Sequence, residues 1–116
     1  MLSTTVFSRG DIVLVPLPFT GLTGQKPRPG LVMSSTRHNR ATGDIVIAQI
    51  TGNIMGTPRM GDHMIAGWAK AGLLAPSILR AKLATIEVRL IRRRLGTMPD
   101  DDLGHIEASL RAMLGF

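Results

Sequence analysis

Arg28 is the residue best held to do chemistry. It follows Pro27 and precedes Pro29. A proline fixes its own backbone angle and biases the residue before it towards extended geometry, so the arginine backbone has little freedom. A guanidinium held that firmly offers a planar fork of donors suited to an anion such as phosphate. Thr51 closes the apolar run Asp44–Thr51 ahead of Gly52. Its hydroxyl is too weak an acid to serve as a general base near neutral pH, but it can hydrogen-bond a phosphate oxygen. The histidines, His38, His63 and His105, are widely separated. Two histidines can work as acid and base, yet this spacing supports neither that pairing nor a metal site. Each is expected to be solvated, on a loop or a helix face. Arg92, Arg93 and Arg94 form a basic run. In a strand their side chains alternate, so the run is expected to be a solvated edge rather than the lining of one groove.

The chain around these residues has 116 residues, 44% of them hydrophobic. That suits a single domain spanning residues 1–116 with a modest core. Cysteine is absent, which excludes disulfides and thiolate metal sites and fits a reducing cytoplasm. No apolar run approaches the roughly 20 residues that span a bilayer, and the N-terminus lacks the pattern of a signal peptide. Fourteen Lys and Arg against eight Asp and Glu give a formal charge of +6. Such a balance favours a polyanionic partner: nucleic acid, an anionic membrane or an acidic protein. The aromatic residues are Phe7, Phe19, Trp68 and Phe116. A surface that stacks bases on a row of rings is therefore excluded, and nucleic-acid binding would fall to arginines, backbone groups and loops.

The elements follow from apolar runs and turn residues. Met1 to Ser8 reads as a loose lead-in, and Gly10-Asp11 as a structural turn. Asp11 to Leu17 is a strand buried on both faces, ended by Pro16 and Pro18. Thr20 to Pro27, with Gly21 and Gly24, is a mobile surface loop. Pro29 to Ser35 is the second strand, Thr36 to Gly43 a polar turn, and Asp44 to Thr51 the third strand. Gly56 to Gly61 is loop, and Asp62 to Ile65 a short strand. Gly67 to Gly72 forms one or two helical turns, with Trp68 as a packing anchor. Strand resumes over Ser77 to Val88 and, in pieces, to Gly96. Pro99 and Asp100 to Asp102 start a final helix, with Leu103, Ile106, Leu110, Met113 and Leu114 at helical spacing. Many short strands, a short inserted helix and a C-terminal helix make a mainly β chain with some α. Its expected form is a small SH3-like barrel or curled antiparallel sheet.

Several motifs carry a resemblance to one family. Gly10-Asp11-Ile12-Val13-Leu14-Val15 is followed by a Gly-containing loop and by Lys26-Pro27-Arg28-Pro29. Then come Asn39-Arg40-Ala41-Thr42 and Ala48-Gln49-Ile50-Thr51-Gly52. Gly72-Leu73-Leu74, Ser77-Ile78-Leu79-Arg80 and Ala84-Thr85-Ile86 complete the set. Together they resemble the MazF/PemK (Kid-like) toxins of type II toxin–antitoxin systems, from Gly10 to about Leu114. The resemblance implies a metal-independent, sequence-specific endoribonuclease that needs no cofactor. It would cleave single-stranded RNA to 2′,3′-cyclic phosphate and 5′-hydroxyl ends and so inhibit growth. By the same likeness Arg28 stabilises transition-state charge, Thr51 aids it, and Arg80 acts as acid or phosphate clamp. Lys26, Gln49, Lys82 and Arg40 are expected to contact RNA. Lys82 stands where some members carry a carboxylate, which makes the site more cationic.

Family likeness further implies a homodimer in the cytoplasm, with no membrane partner. A cognate antitoxin with an acidic, partly disordered tail would bind it, and operator DNA would be reached through that antitoxin. Leu17, Phe19 and the outer face of the last helix are expected to supply dimer contacts. Two alternatives share the barrel: a non-catalytic nucleic-acid-binding module, and a gyrase-binding toxin. Gyrase-binding toxins lack the Lys26-Pro27-Arg28-Pro29 signature.

Overall fold

A computed structural model describes residues 5–17 and 26–116. Most of the expected Thr20–Pro27 loop, and Phe19, lie outside the described residues. The elements in chain order are β1 (Asp11–Pro16), β2 (Pro27–Val32), α1 (Thr36–Thr42), β3 (Asp44–Thr51), β4 (His63–Met64), β5 (Ile78–Glu87), β6 (Arg93–Thr97) and α2 (Asp100–Leu114). A 3-10 turn, Val88–Leu90, leads from β5 towards β6. The strands form one curled antiparallel sheet in the order β4-β5-β3-β2-β1-β6. This is the mainly β architecture with helices that the sequence predicts.

Both faces of the sheet are covered, which is why β1 is apolar without alternation. Ile12 and Val13 point to opposite sides, and both are fully buried. Ile12, Leu31, Ala48, Ile50 and Leu79 make one core with Met98 and with Ile106 and Leu110 of α2. Val13, Val15, Leu17, Val32, Ile45 and Ile47 make the other, on the opposite face, called the inner face below, with Phe7. Burying a large aliphatic side chain contributes about 1.5–3 kcal/mol, so these two layers hold the sheet. Trp68 packs against the first core as the expected anchor.

Three local expectations are corrected. Residues 36–42 are a helix rather than a polar turn: Ser35 caps it by accepting the His38 N–H, and Gly43 ends it at φ +74°. The helix lacks an apolar stripe because it buries an amide instead. Asn39 donates to the Phe7 carbonyl at 2.8 Å and accepts from Ser34 Oγ. The same bond ties down the lead-in, whose Phe7 is buried in the second core and is not loose. Residues 67–72 make a single helical turn, closed by the Ala71 N–H on the Gly67 carbonyl, as the sequence predicts. Leu17 is 1% exposed in the second core, so it cannot face a second subunit.

The prolines of β2 shape the sheet where it matters most. Pro27 and Pro29 carry no N–H donor and so cannot serve a ladder on both sides. On the β1 side they sit opposite Pro16 and Leu14. On the β3 side, bridged pairing begins only at Gly30, opposite Gln49. β2 and β3 are thus unpaired in front of the prolines, and a cleft opens there.

Candidate functional site

The cleft has a volume of about 390 Å³ and is lined by Arg28, Pro29, Gln49, Ile50, Thr51, Gly52 and Asn53. Register explains the assembly. Arg28 pairs with Val15 on β1, and Val15 lies in the second core. Arg28 therefore emerges on the inner face. Leu31 pairs with Ala48 and Gly30 with Gln49. Continuing that register by two residues on each strand sets Arg28 opposite Thr51. Side chains alternate along a strand, so Gln49 and Thr51 share the face of Ile47, again the inner one. Three residues that the sequence singles out thus converge on one hollow.

Each is held in a distinct state. The Arg28 side chain is exposed and has no carboxylate partner among the described residues. The Thr51 hydroxyl accepts the Asn53 N–H at 3.1 Å. That bond uses an oxygen lone pair and leaves the hydroxyl hydrogen free to donate into the cleft. Gln49 has its amide oxygen buried with no hydrogen-bond donor, the one such side-chain atom among the described residues. No carboxylate or imidazole lines the cleft among the described residues. The segment 18–25 (Pro-Phe-Thr-Gly-Leu-Thr-Gly-Gln) contains no titratable side chain.

The remaining expected residues lie outside this lining. Arg80 bonds Asp62 at 3.3 Å, with both side chains largely buried (13% and 7% exposed). Asp62 also accepts the Arg59 N–H. The partner follows from the pairing of β4 with β5, because His63 opposite Leu79 brings Asp62 beside Arg80. Lys82 shares a bulge with Arg80: Ala48 pairs with Leu83 and Ile50 with Leu79, so three residues of β5 oppose Gln49 alone. Lys26 is exposed just before β2. Arg40, on α1, borders a separate small hollow with Phe7, Asn39 and Val88.

Two features escape the sequence reading. His63 is not solvated: its Nε2 lies 2.7 Å from Asp102 Oδ1, and its ring stacks on His105 with centroids 5.8 Å apart. Asp102, 3% exposed, also accepts the Ala66 and Gly67 N–H groups. Burial works to raise the Asp102 carboxyl, but the bonds from His63, Gly67 and Ala66 outweigh it and hold it below its ordinary range. The sequence hint was an aspartate in the first turn of a helix, read only as complementing the dipole. Among the described residues no group of His, Asp or Glu is placed to hold a metal ion. The arginine run also differs from expectation. Arg92, Arg93 and Arg94 border one hollow with Arg89, and Arg92 lies just before β6. Arg94 turns over the Phe7 ring to reach Asp11. Asp11 also accepts the Ser8 N–H, which makes Gly10-Asp11 the structural turn expected.

The fold is shared with solved toxins. A MazE–MazF crystal structure (Form-II) from Deinococcus radiodurans is 24% identical, with a TM-score of 0.75 over 97% of this chain and 98% of that one. Form-I of the same complex is 26% identical, with a TM-score of 0.70 over 97% and 99%. An endoribonuclease in complex with its cognate antitoxin, from a mycobacterial species, is 18% identical, with a TM-score of 0.75 over 95% and 96%. No curated protein matches the chain in sequence. No helix among the described residues is long and apolar enough to cross a membrane. Residues 8–114 match the family described as PemK-like, MazF-like toxin of type II toxin–antitoxin system. The match spans both strands of the cleft and the helix that backs the sheet, and the chain belongs to that toxin family.

Proposed function

We propose that this toxin is a metal-independent endoribonuclease acting on single-stranded RNA at the Arg28–Thr51 cleft. The observation that carries the reading is a guanidinium with no carboxylate partner among the described residues, register-matched to a donor hydroxyl in one open hollow. A ribose 2′-hydroxyl attacks the adjacent phosphorus, and the P–O5′ bond breaks. The products are a 2′,3′-cyclic phosphate and a 5′-hydroxyl. The 2′-hydroxyl proton leaves to water, and the departing 5′-oxygen takes one up. Charge gathers on the non-bridging oxygens in between. Arg28 stabilises that charge, and Thr51 donates to one of those oxygens. A preorganised donor of this kind is worth about two to three decades in rate. With no carboxylate or imidazole in the described lining, catalysis rests on charge stabilisation and orientation.

Arg80, held by Asp62, contributes field from the neighbouring strand, and Lys82 and Lys26 guide the RNA backbone. Arg40, on α1, contacts RNA further along the surface. One domain carries the activity and pairs as a homodimer in the cytoplasm. The MazE–MazF and endoribonuclease–antitoxin complexes support a cognate antitoxin as partner. A net charge of +6 suits an acidic, partly disordered antitoxin tail, through which the pair reaches operator DNA.

The test is incubation of the purified protein with long single-stranded RNA in EDTA, beside Arg28→Ala and Thr51→Ala. Discrete cuts with cyclic-phosphate ends from wild type alone are expected. Undiminished cutting by both variants would place the chemistry elsewhere. The same lack of a proton-transfer group favours a second reading, a barrel that binds RNA without cutting it. Intact RNA retained by wild type and released by Arg28→Ala would select that reading.

A further inference from the structure

The Gln49 amide has no part in the phosphate chemistry, yet it sits beside the groups that do. Its oxygen is buried and lacks any donor, an arrangement folded proteins rarely leave in place. Gly30 lies directly opposite on β2, so no side chain covers the amide from that strand. On the other flank β5 bulges, with Arg80, Ala81 and Lys82 opposing this one residue. Neither flank thus sets a regularly paired side chain against Gln49, and the residue lines the cleft. The terminal torsion of a glutamine is broad, so the amide turns at little cost. A ligand that brings its own donor next to an acceptor satisfies what the empty site leaves open.

Arg28 and Thr51 handle a group common to every nucleotide. An amide reads a base edge, and its matched edge is the adjacent amine and ring nitrogen of adenine. We propose that Gln49 is a specificity-determining residue that reads the amine edge of an unpaired adenine next to the phosphate held by Arg28. The proposal rests on the RNA reading above and assigns the base subsite of that cleft. Gln49 accepts from the adenine 6-amine and donates to the ring nitrogen beside it. Uracil has no amine but sets a ring N–H beside a carbonyl, so the decisive comparison is purine riboside, which keeps the purine ring and has no amine to give.

The test separates reading from cutting. Short single-stranded RNAs carrying 2′-O-methyl groups cannot be cleaved, because the nucleophile is blocked. Their affinities are measured with one position as adenine, uracil or purine riboside. Wild type is expected to prefer adenine roughly tenfold or more over purine riboside, the discrimination of a good bidentate pair. Gln49→Met keeps the bulk, loses both bonding groups, and is expected to bind all three alike. Gln49→Glu keeps the acceptor oxygens; it is expected to bind every RNA more weakly and still prefer the amine. Equal binding of all three by wild type, or an unchanged preference in Gln49→Met, overturns the proposal. Discrimination by wild type with no cleavage of unmodified RNA would sink the ribonuclease reading and leave the base reader standing. No binding of any RNA would overturn both.

Discussion

Removing the Asp102 carboxylate should detach the start of α2 from the segment beneath it. That carboxylate accepts the Ala66 N–H at 2.8 Å, the Gly67 N–H at 2.9 Å and His63 at 2.7 Å. In Asp102→Ala, two backbone donors lose a charged acceptor in a site 3% exposed. Hydrogen bonds to charged groups contribute about 1.5–3 kcal/mol each. Taking the lower value for the two backbone bonds gives a loss of about 3 kcal/mol. The His63 bond adds less, because that ring keeps 18% of its exposure and solvent screens it. For a chain of this size, 3 kcal/mol lowers the midpoint of thermal unfolding by roughly 12 °C. Urea unfolding followed by circular dichroism reads the loss directly.

The pH dependence has a definite sign. The folded carboxyl lies below its ordinary 3.8, so the stabilisation is fully present above that value. It is lost as pH falls through the folded value. The gap between wild type and Asp102→Ala should therefore be constant from pH 7 down to about pH 4 and narrow below it. A loss under about 1 kcal/mol at pH 7, or a gap undiminished at pH 2, would show that the contacts do not carry the energy assigned to them.

Further outcomes follow from the same geometry. Arg28→Ala should cut the rate of RNA cleavage by about 10²–10³ while leaving the unfolding midpoint within error, since the side chain is exposed and has no ion pair among the described residues. Thr51→Ser should keep most activity and Thr51→Ala lose it, because the hydroxyl is the group able to donate to a phosphate oxygen; equal loss in both would point to packing. Gly96→Ala should be among the most damaging single changes: a Cβ there would collide with the Ala71 carbonyl. Calorimetry should show little or no folded population. Asn39→Ala should cost about 2–3 kcal/mol in urea unfolding, since the Phe7 carbonyl and Ser34 both lose a buried partner.

Apolar runs and turn residues set out the strands well, because a strand buried on both faces cannot hide its composition. β1 and β3 are read almost to the residue. α1 was missed because its seven residues bury one amide and no apolar stripe, and hydrophobic period is the main signal available. The Arg28 backbone restraint was visible in Pro27 and Pro29. Its consequence was not: those prolines also halt the β2–β3 ladder and so create the cleft, which depends on which strand lies alongside. The His63–Asp102 bond joins residues 39 apart and follows from packing alone. Nothing in the sequence pairs Arg80 with Asp62; that contact follows from β4 lying alongside β5.

The sheet order carries a consequence for how the protein is made. β1, near the start of the chain, takes its outer neighbour from Arg93–Thr97, and the core beneath it is closed by Ile106 and Leu110. A ribosome delivers Arg28 and Thr51 before the strand that flanks β1 and the helix that covers it. Contacts of such long sequence separation form slowly and only once both ends exist. Until α2 has emerged, the nascent chain holds Arg28 and Thr51 on a sheet that cannot yet close.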